Sequence, residues 1–544
     1  GRIAPAASPD GMDVAGMDLE NIRHCLALER EEERLEHLHA SASVDPRELE
    51  RRGVGLHNLR IMSVEADLYG RSLLTLKPTG ARPLPPTRLS PGAAVGLRPA
   101  GASAAEAVRG TLTRVGGSTV VVSIDELPEG GLREPVLLLL MHNEVTYRRI
   151  EAALGAITDG TVSSAASPIV RALLGGQGGR PSELLVPPPP PPPLPLELCR
   201  NRGLNEGQRA AVASGLAAAP VCLIHGPPGT GKTTAVVELI LQSVGRGERV
   251  LACAASNVAV DNMAERLLAA ARPPKLVRVG HPARLHQSVL SVSLDARMSR
   301  SDGAAIVADV QTELADARRK LDAGGKESGG RSQLRAEIKQ LRKELTTRQL
   351  KAVRDLLMAS EVVLCTNTGA ADRAFEALPV GHAFDLVVID EAAQALEASC
   401  WVPLLRGRRA VLAGDHKQLP PVVKSTEAVA RGLGRTLFER LLEHDSRLGV
   451  MLTEQYRMNA AICRWASDEL YSSRLVAHPS VSAHTLSHLP HVTATAETAA
   501  PLLFIDTAGC ECEEDDYGKI VPGSPAGGAG GGGAGGGGAG GGGA

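Results

Sequence analysis

Apolar residues at helical spacing mark the first predicted element of the chain, a charged helix over residues 19–38. Between residues 51 and 141 the pattern changes to short β-rich runs, which Gly, Pro and charged turns separate. Gly116-Gly117 lies between two of these runs and is a hairpin signal. The stretch predicts a small β-barrel or sandwich, and helical spacing returns at 144–156. The runs are 54–62, 72–77, 93–97, 110–115, 118–124 and 135–140.

From residue 204 to about 421, apolar strands alternate with helices, which predicts a parallel α/β sheet. A helical stretch over 302–357 interrupts this alternation, with a glycine-rich hinge predicted at 324–330. We therefore expect a helical hairpin inserted in the sheet domain. Beyond residue 426 another α/β segment begins, and it fades near residue 516. The second inserted helix carries a/d-like spacing at Leu334, Ile338, Leu341 and Leu345.

Composition indicates a cellular compartment and an uneven distribution of charge along the chain. The nine cysteines form no CxxC pair, which favours reduced thiols of a cytoplasmic and/or nuclear protein. No apolar run approaches the roughly 18 residues of a membrane span, so no membrane partner is predicted. The net charge of −2 predicts no nucleic-acid affinity, but residues 272–356 hold 18 Lys and Arg against 10 Asp and Glu. That excess is either a solvated helical face or a phosphate-backbone footprint.

One octapeptide fits the phosphate-binding loop G-x-x-x-x-G-K-[ST] at every fixed position. A short apolar strand precedes it and a helix follows it, so the helix N-terminus would face a bound anion. Lys232 can reach the β and γ oxygens, and Thr233 can place its hydroxyl on Mg²⁺. The chain is therefore predicted to bind ATP with Mg²⁺. The loop and the next residue are Gly226, Pro227, Pro228, Gly229, Thr230, Gly231, Lys232, Thr233 and Thr234.

Polar residues follow two further strands and one later segment. Asp390 ends an apolar strand where a phosphate loop needs a carboxylate for Mg²⁺, and Glu391 could activate water, although such a pair is also a common helix cap. Gln418 follows another buried strand and can hydrogen-bond a γ-phosphate or its attacking water, unless it belongs to an ordinary Gly/Pro turn. Arg457 can serve as an arginine finger and Tyr456 can stack on the base or ribose; in isolation Arg457 would more often form a surface salt bridge.

These residues lie in motifs that resemble the ordered motifs of superfamily 1 helicases. The nearest resemblance is to the immunoglobulin-mu-binding protein (Smubp) type of DNA/RNA helicase, in the branch that includes the nonsense-mediated-decay helicase. It covers about residues 17–510 apart from the proline linker. The motifs are LNEGQ (204–208), GPPGTGKTT (226–234), SNVAVDN (256–262), DEAAQALEASCW (390–401), AGDHKQLPP (413–421) and LTEQYRM (452–458).

The resemblance implies residue roles beyond those that spacing indicates. Gln208 matches the adenine-reading glutamine, and Tyr456 matches a base-stacking tyrosine. Asp390 and Glu391 match the metal-binding and water-activating pair, while Gln418 and Arg457 match residues that sense the γ-phosphate. Backbone contacts to nucleic acid are implied for Ser256, Asn257, Thr366 and Asn367.

The resemblance also implies a domain plan of the α/β class. A P-loop RecA-like parallel sheet domain carries an inserted helical hairpin and a small N-terminal β-barrel on stalk helices, followed by a partial second RecA-like domain. The expected segments are a disordered 1–16, a stalk helix in 17–50, the barrel in 51–142, a stalk helix in 143–174, a Gly/Pro-rich linker at 175–200, the first RecA-like domain at 201–280 and 358–425 around the hairpin at 281–357, the partial second domain at 426–516, and a Gly/Ala-rich disordered tail at 517–544.

The expected function is ATP hydrolysis coupled to 5′-to-3′ movement on single-stranded RNA or DNA. No later helicase motif follows residue 509, so an ATP-binding nucleic-acid adaptor with little motor activity is the alternative, and a gene-prediction artefact at the tail is a third. The resemblance implies ribosome or ribonucleoprotein association. The preference for RNA or DNA and the oligomeric state stay open.

Overall fold

The computed structural model of the chain describes most of its length. Residues 1–18 and 509–544 lie outside the described part, and so do the predicted N-terminal segment 1–16, the predicted tail 517–544 and much of the glycine-rich linker. The described residues are 19–41, 45–66, 71–80, 83–99, 107–124, 132–141, 144–175, 181–182, 185, 189–217, 220–301, 303–322 and 328–508.

The elements keep the order that the sequence patterns predict. The helices are α1 (Leu19–Ser41), α2 (Pro46–Arg51), α3 (Glu144–Thr158), α4 (Ser167–Leu174), α5 (Glu206–Ala217), α6 (Lys232–Gly245), α7 (Asn257–Leu268), α8 (Leu294–Met298), α9 (Ala304–Asp322), α10 (Ser328–Ala359), α11 (Glu397–Leu404), α12 (Thr426–Ala430), α13 (Leu437–His444), α14 (Ala460–Leu470), α15 (Pro479–Ser482) and α16 (Ala496–Ala499). The strands are β1 (Gly55–Ala66), β2 (Ser72–Pro78), β3 (Ala94–Pro99), β4 (Val108–Val115), β5 (Val120–Ile124), β6 (Val136–Leu140), β7 (Val221–His225), β8 (Val250–Ala254), β9 (Leu276–Arg278), β10 (Val362–Thr366), β11 (Phe384–Asp390), β12 (Gly407–Gly414), β13 (Gly449–Met451), β14 (Glu454–Gln455) and β15 (Val476–Ala477).

The β-rich segment is a closed barrel rather than a sandwich. Its strands follow the order β1-β2-β5-β4-β3-β6, and antiparallel pairing of β6 with β1 closes it. Alternate residues point inward, so Leu74 and Leu76 of β2 are fully buried. Because all edges are paired, the barrel forms its own hydrophobic core beside the rest of the chain.

The larger sheet has seven parallel strands in the order β13-β7-β12-β11-β8-β10-β9. Its strands are short, uninterrupted apolar runs because helices cover both faces, and two separate hydrophobic clusters fill those faces. This RecA-like arrangement confirms the predicted α/β class. The carboxyl ends of the parallel strands meet at one edge, where loops can combine side chains from distant parts of the sequence.

The last strand of this sheet corrects the predicted end of the first domain at residue 425. β13 pairs in parallel with β7 through Gly449 and Leu223, so the chain as far as Met451 completes the first sheet. The prediction missed β13 because three residues are too short to show a period.

The helical hairpin consists of α9 and α10, which pack through a small apolar cluster that includes Leu314, Ile338 and Leu345. The predicted hinge at 324–330 is too long, because α10 already begins at Ser328. Residues 323–327 lie outside the described part.

Helix α1 fastens the N-terminal segment to the sheet domain. The carboxylate of Glu29 accepts hydrogen bonds from the backbone N–H groups of Lys424 and Ser425, and Arg30 pairs with Glu144 of α3. Arg149 on helix α3 donates a hydrogen bond to the carbonyl of Thr368 at 3.1 Å. The stalk helix α3 therefore contacts the loop that follows β10.

The chain divides into two compact units, residues 1–484 and 485–544. In the first unit, α14 packs beside the two-stranded sheet β14-β15, as expected for the start of a second α/β domain. In the described part of the second unit, Thr495 and Thr498 form a capping box at the start of α16. Among the described residues, none of the helices has both the length and the apolar character needed to cross a membrane.

Candidate nucleotide site

The phosphate-binding loop connects β7 to α6 at the carboxyl edge of the large sheet. Gly229 and Gly231 have φ angles of 78° and 75°, in the left-handed region that favours glycine. A Cβ atom on Gly226 would lie 2.5 Å from Cβ of Lys232, so only glycine fits there. These three glycines let the loop turn tightly around the side chain of Lys232, which starts α6.

The other loop residues support this turn. Pro227 is buried and Pro228 half-buried, while the Thr230 hydroxyl donates to the Pro227 carbonyl at 2.7 Å. Thr234 lies in the first turn of α6. The amide of Gln208 donates to the Thr230 carbonyl at 2.9 Å, which ties α5 to the loop.

Lys232 lies between Asp390, the last residue of β11, and Glu391, which follows it. Its Nζ is 2.7 Å from Glu391 Oε2 and 3.3 Å from Asp390 Oδ1. Burial opposes the charge of the ammonium, but the two carboxylates outweigh it and raise the pKa of Lys232. Thr233 Oγ1 is 3.3 Å from Asp390 Oδ2. A buried cation thus lies beside the Thr233 hydroxyl and the Asp390 carboxylate, and such oxygen atoms are the ligands that Mg²⁺ prefers.

The backbone places Glu391 in an unusual conformation. Its φ is 53°, which is uncommon for a residue other than glycine and is found in proteins at functional sites. The turn is held by the Glu391 N–H, which donates to Asp390 Oδ1 at 2.9 Å. The strain aims the carboxylates of Asp390 and Glu391 at the same ammonium instead of letting Glu391 extend the strand.

Tyr456 and Gln208 meet through Asn205. The Asn205 side chain donates to the Tyr456 hydroxyl and to Glu454, each at 3.0 Å, while Asn205 and Gln208 bond each other's backbone N–H groups. The Tyr456 ring lies 4.5 Å from the ring of His478. Partial burial and the Glu454 carboxylate raise the pKa of Tyr456. The structure thus brings the two predicted base-contacting residues to one side of the phosphate loop.

Gln418 lies on an exposed turn after β12, and its amide donates to Asp415 Oδ2 at 2.8 Å. Asp415 also accepts from Tyr471 at 2.7 Å and lies 2.9 Å from Nε2 of His225, the residue just before the phosphate loop. Burial alone would raise the pKa of Asp415, but the hydrogen bonds from these side chains lower it to about 2. Gln418 is therefore anchored to a fixed carboxylate at the base of the phosphate loop.

Arg457 approaches the phosphate loop through its backbone. The Tyr456 N–H donates to the Gly229 carbonyl at 2.9 Å, and the Gln455 side chain accepts from the N–H groups of Arg457 and Met458 at 2.7 Å each. The Arg457 side chain is exposed, and no hydrogen bond or ion pair engages its guanidinium within the described part of the chain. Arg457 thus stands beside the loop with a free cation.

The residues predicted to contact nucleic acid lie at or just after the carboxyl ends of β8 and β10, which are neighbours in the sheet. Ser256 is exposed and caps α7, while Asn257 accepts at 2.8 Å from the fully buried Arg278. Thr366 is half-buried and accepts from the N–H of Gly369. Asn367 is only 2% exposed, and its side chain faces Ser399 and Cys400 instead of solvent.

Sequence reasoning missed Asn205, His225, Asp415 and Tyr471. Asp415 follows a buried strand at the carboxyl edge, and that position could have marked it. Asn205 directly precedes helix α5 and lies three residues before Gln208, a spacing typical of helix caps. Tyr471 has no local signal, because its partner Asp415 lies 56 residues earlier in the sequence.

A parallel sheet with this loop after β7 and this acidic pair after β11 defines a P-loop nucleoside-triphosphate-binding protein. A family model described as "Helicase SMUBP-2/HCS1, 1B domain" matches residues 22–132, and two models described as "AAA domain" match 203–426 and 433–522. The DNA-binding protein SMUBP-2 of Mesocricetus auratus is 45% identical over 92% of this chain and 50% of its own length. The DNA polymerase alpha-associated DNA helicase A of Schizosaccharomyces pombe is 34% identical over 86% of this chain and 70% of its own length.

A regulator of nonsense transcripts 1 homolog of Arabidopsis thaliana is 33% identical over 50% of this chain and 20% of its own length. The chain belongs to the SMUBP-2/HCS1 helicase family, which confirms the resemblance inferred from the motifs. It spans about half the length of its SMUBP-2 relatives.

Proposed function

We propose that the chain hydrolyses ATP and couples the hydrolysis to 5′-to-3′ movement along single-stranded RNA or DNA. The observation that carries this proposal is the buried Lys232 ammonium, which lies between Asp390 and Glu391 at a phosphate loop that Arg457 adjoins. Phosphoryl transfer needs these groups at one place, namely cations for the phosphate charge and a carboxylate for the attacking water.

Each residue has a separable task in this proposal. Lys232 neutralises charge on the β and γ oxygens, and its ion pair with Glu391 opens as a phosphate replaces the carboxylate. Glu391 then orients a water molecule and takes its proton. Arg457 and the amide of Gln418 stabilise the transferring phosphoryl group, while Gln208 and Tyr456 hold the base. All of them lie around one loop at the edge of the large sheet.

Mg²⁺ fits the residues at this site. Thr233 Oγ1 and Asp390 Oδ2 are hard oxygen ligands at the phosphate loop, and the Lys232 ammonium lies beside Asp390. When bound, the ion would neutralise the negative charge that develops on the phosphate oxygens. Thr233 and Asp390 would hold it, while Glu391 remains available as a base.

The nucleic-acid contacts are proposed for the same edge of the sheet and for the helical hairpin. Ser256 follows β8 and Thr366 ends the neighbouring β10, so a nucleic-acid strand that crosses this edge can contact both. Arg335, Lys339 and Lys343 are exposed at four-residue spacing on α10, which places three cations on one face. A row of this kind suits the evenly spaced phosphates of a single strand.

The partners and the compartment are proposals as well. Ribosome or ribonucleoprotein association follows from the family resemblance. The name of the hamster relative specifies DNA binding, which makes single-stranded DNA a substrate to test beside RNA. The cytoplasm and/or nucleus is the proposed location, supported by seven described cysteines that are all buried and form no disulfide, as expected in a reducing compartment.

The test is ATP hydrolysis by the full chain with and without single-stranded DNA or RNA. We expect stimulation by at least one nucleic acid and background activity from Lys232→Ala. Equal rates for the wild type and Lys232→Ala would show that the chain does not work as a motor. Binding of single-stranded nucleic acid across a salt series then tests the alternative. Salt-dependent binding that is unchanged by ATP and by Lys232→Ala would indicate an adaptor.

A further inference from the structure

The carboxylate of Asp415 is the centre of a hydrogen-bond network with four donors. Oδ1 lies 2.9 Å from His225 Nε2 and accepts from the Lys417 N–H at 3.1 Å. Oδ2 accepts from Gln418 Nε2 at 2.8 Å and from the Tyr471 hydroxyl at 2.7 Å. Asp415 is only 2% exposed, so these donors replace the water that would otherwise solvate its charge.

A metal site is the competing explanation for this cluster. Ligand atoms of His225, Asp415 and His416 all lie within 4.8 Å of one another. Each carboxylate oxygen of Asp415, however, already has two hydrogen-bond donors, and a carboxylate offers about four acceptor positions in total. Asp415 therefore has no lone pair left for a cation, and the cluster is a closed hydrogen-bond network.

The network joins three separate parts of the first unit. His225 ends β7 just before the phosphate loop, and Gln418 lies on the turn after β12. Tyr471 comes directly after α14, is 4% exposed, and its hydroxyl reaches Asp415 from a segment 56 residues further along the chain. Burial raises the pKa of Tyr471, so its hydroxyl stays protonated and donates.

Gln418 and Tyr471 share one oxygen of Asp415, and this sharing determines how freely Gln418 can move. If Gln418 turns toward a γ-phosphate, Oδ2 loses one donor and depends on Tyr471. A buried carboxylate oxygen without any donor is costly, so the Tyr471 hydroxyl is what allows Gln418 to leave. Without the Tyr471 hydroxyl, Gln418 would be the last donor to Oδ2, and its amide would stay hydrogen-bonded to Asp415.

We propose that Tyr471 is a positioning residue, which through Asp415 sets whether Gln418 is available to the γ-phosphate and so links nucleotide sensing to α14. This proposal rests on the proposed ATP function. It predicts that the Tyr471 hydroxyl strengthens the preference of the site for a triphosphate over a diphosphate. Losing one hydrogen bond to a buried charge corresponds to a change of about tenfold in that preference.

The experiment measures the affinities of the full chain for ADP and for a non-hydrolysable ATP analogue. In Tyr471→Phe, which removes one oxygen atom, we expect the ratio of the two affinities to fall about tenfold with ADP affinity unchanged. Tyr147→Phe removes the hydroxyl of another buried tyrosine on α3 and should keep the wild-type ratio. A wild-type ratio in Tyr471→Phe would overturn the proposal.

A double-mutant cycle with Gln418→Ala tests the route. If Tyr471 acts through Gln418, the Tyr471→Phe change has no further effect on the ratio once Gln418 is alanine. Full additivity of the two changes would refute the coupling, and so would a wild-type chain that binds both nucleotides equally. A wild-type chain that binds neither nucleotide better than Lys232→Ala would instead refute the proposed function itself.

Discussion

The nucleotide site has two sides that differ in how their side chains are held. On one side, Lys232 is buried between the carboxylates of Asp390 and Glu391, so its charge is balanced by the chain itself. On the other side, Gln418 and Arg457 are exposed, and the Arg457 guanidinium has no partner among the described residues. The first side is electrostatically closed, and the second is open.

We infer from this difference that the closed side serves mainly to bind ATP and that the open side serves mainly in its hydrolysis. The closed side lies on the strands and the helix of the complete seven-stranded sheet, and its geometry is set by burial. The open side comes from turns and from the segment after β13, where a phosphate would be the missing partner. We infer that the closed side binds ATP with only the ion pair between Lys232 and Glu391 opening, while Gln418 and Arg457 on the open side turn toward the γ-phosphate.

The largest expected effect comes from removing the free cation of the open side. Arg457→Ala should lower the rate of ATP hydrolysis by about 10³–10⁵, because arginine fingers contribute that much to phosphoryl transfer. Its thermal stability should match the wild type, since Arg457 makes no ion pair within the described part of the chain. Arg464→Ala on α14, also exposed, is the matched control. A clear loss of stability in Arg457→Ala would show that the open side is structural.

The closed side was predictable from the sequence because its parts are local. The phosphate loop is one octapeptide, and Asp390 and Glu391 follow a strand that its apolar run defines. Gln418, Tyr456 and Arg457 could be named from motifs, but the hydrogen bond between Gln418 and Asp415 could not. The bond between Asp415 and Tyr471 joins residues 56 positions apart, and no local period encodes such a pair.

The fold shows the same limit. The six barrel strands were predicted within a few residues because β-branched runs and turn residues mark them. Closure of the barrel depends on the pairing of β1 with β6, which lie far apart in sequence, so barrel and sandwich could not be distinguished. The three-residue β13 escaped prediction for a related reason, since only its partner β7 makes it a strand.

A smaller rate effect is expected on the closed side. Glu391→Gln should lower ATP hydrolysis by about 10²–10⁴, the usual contribution of a general base, while ATP affinity is kept because Lys232 retains Asp390. Single-turnover hydrolysis and equilibrium binding measured on the same preparation separate the two. Glu427→Gln, an exposed glutamate on α12, is the control. Parallel losses of rate and affinity would mean that Glu391 organises the closed side instead of acting on water.

The smallest expected effect is a pH-dependent change in stability that comes from His416, in the turn that carries Gln418. Burial, together with repulsion from His225 and Lys417, lowers the pKa of His416 from 6.5 to about 4, although Asp415 and Glu443 oppose this shift. The folded chain therefore keeps His416 neutral, while the unfolded chain takes up a proton below about pH 6.5. This contribution to stability is complete above pH 6.5 and is lost as the pH falls toward 4.

Between pH 7 and pH 5 the loss should reach at most about 2 kcal/mol in the free energy of unfolding, because His416 is only half-buried. Urea unfolding of the wild type and His416→Gln at both pH values measures it, with His444→Gln on α13 as an exposed control. Removing His416 should flatten the pH dependence, and removing His444 should not. If the wild type and His416→Gln lose stability equally, the turn that carries Gln418 does not rest on a neutral His416. The open side would then gain no stability from His416, in addition to having exposed side chains at Gln418 and Arg457.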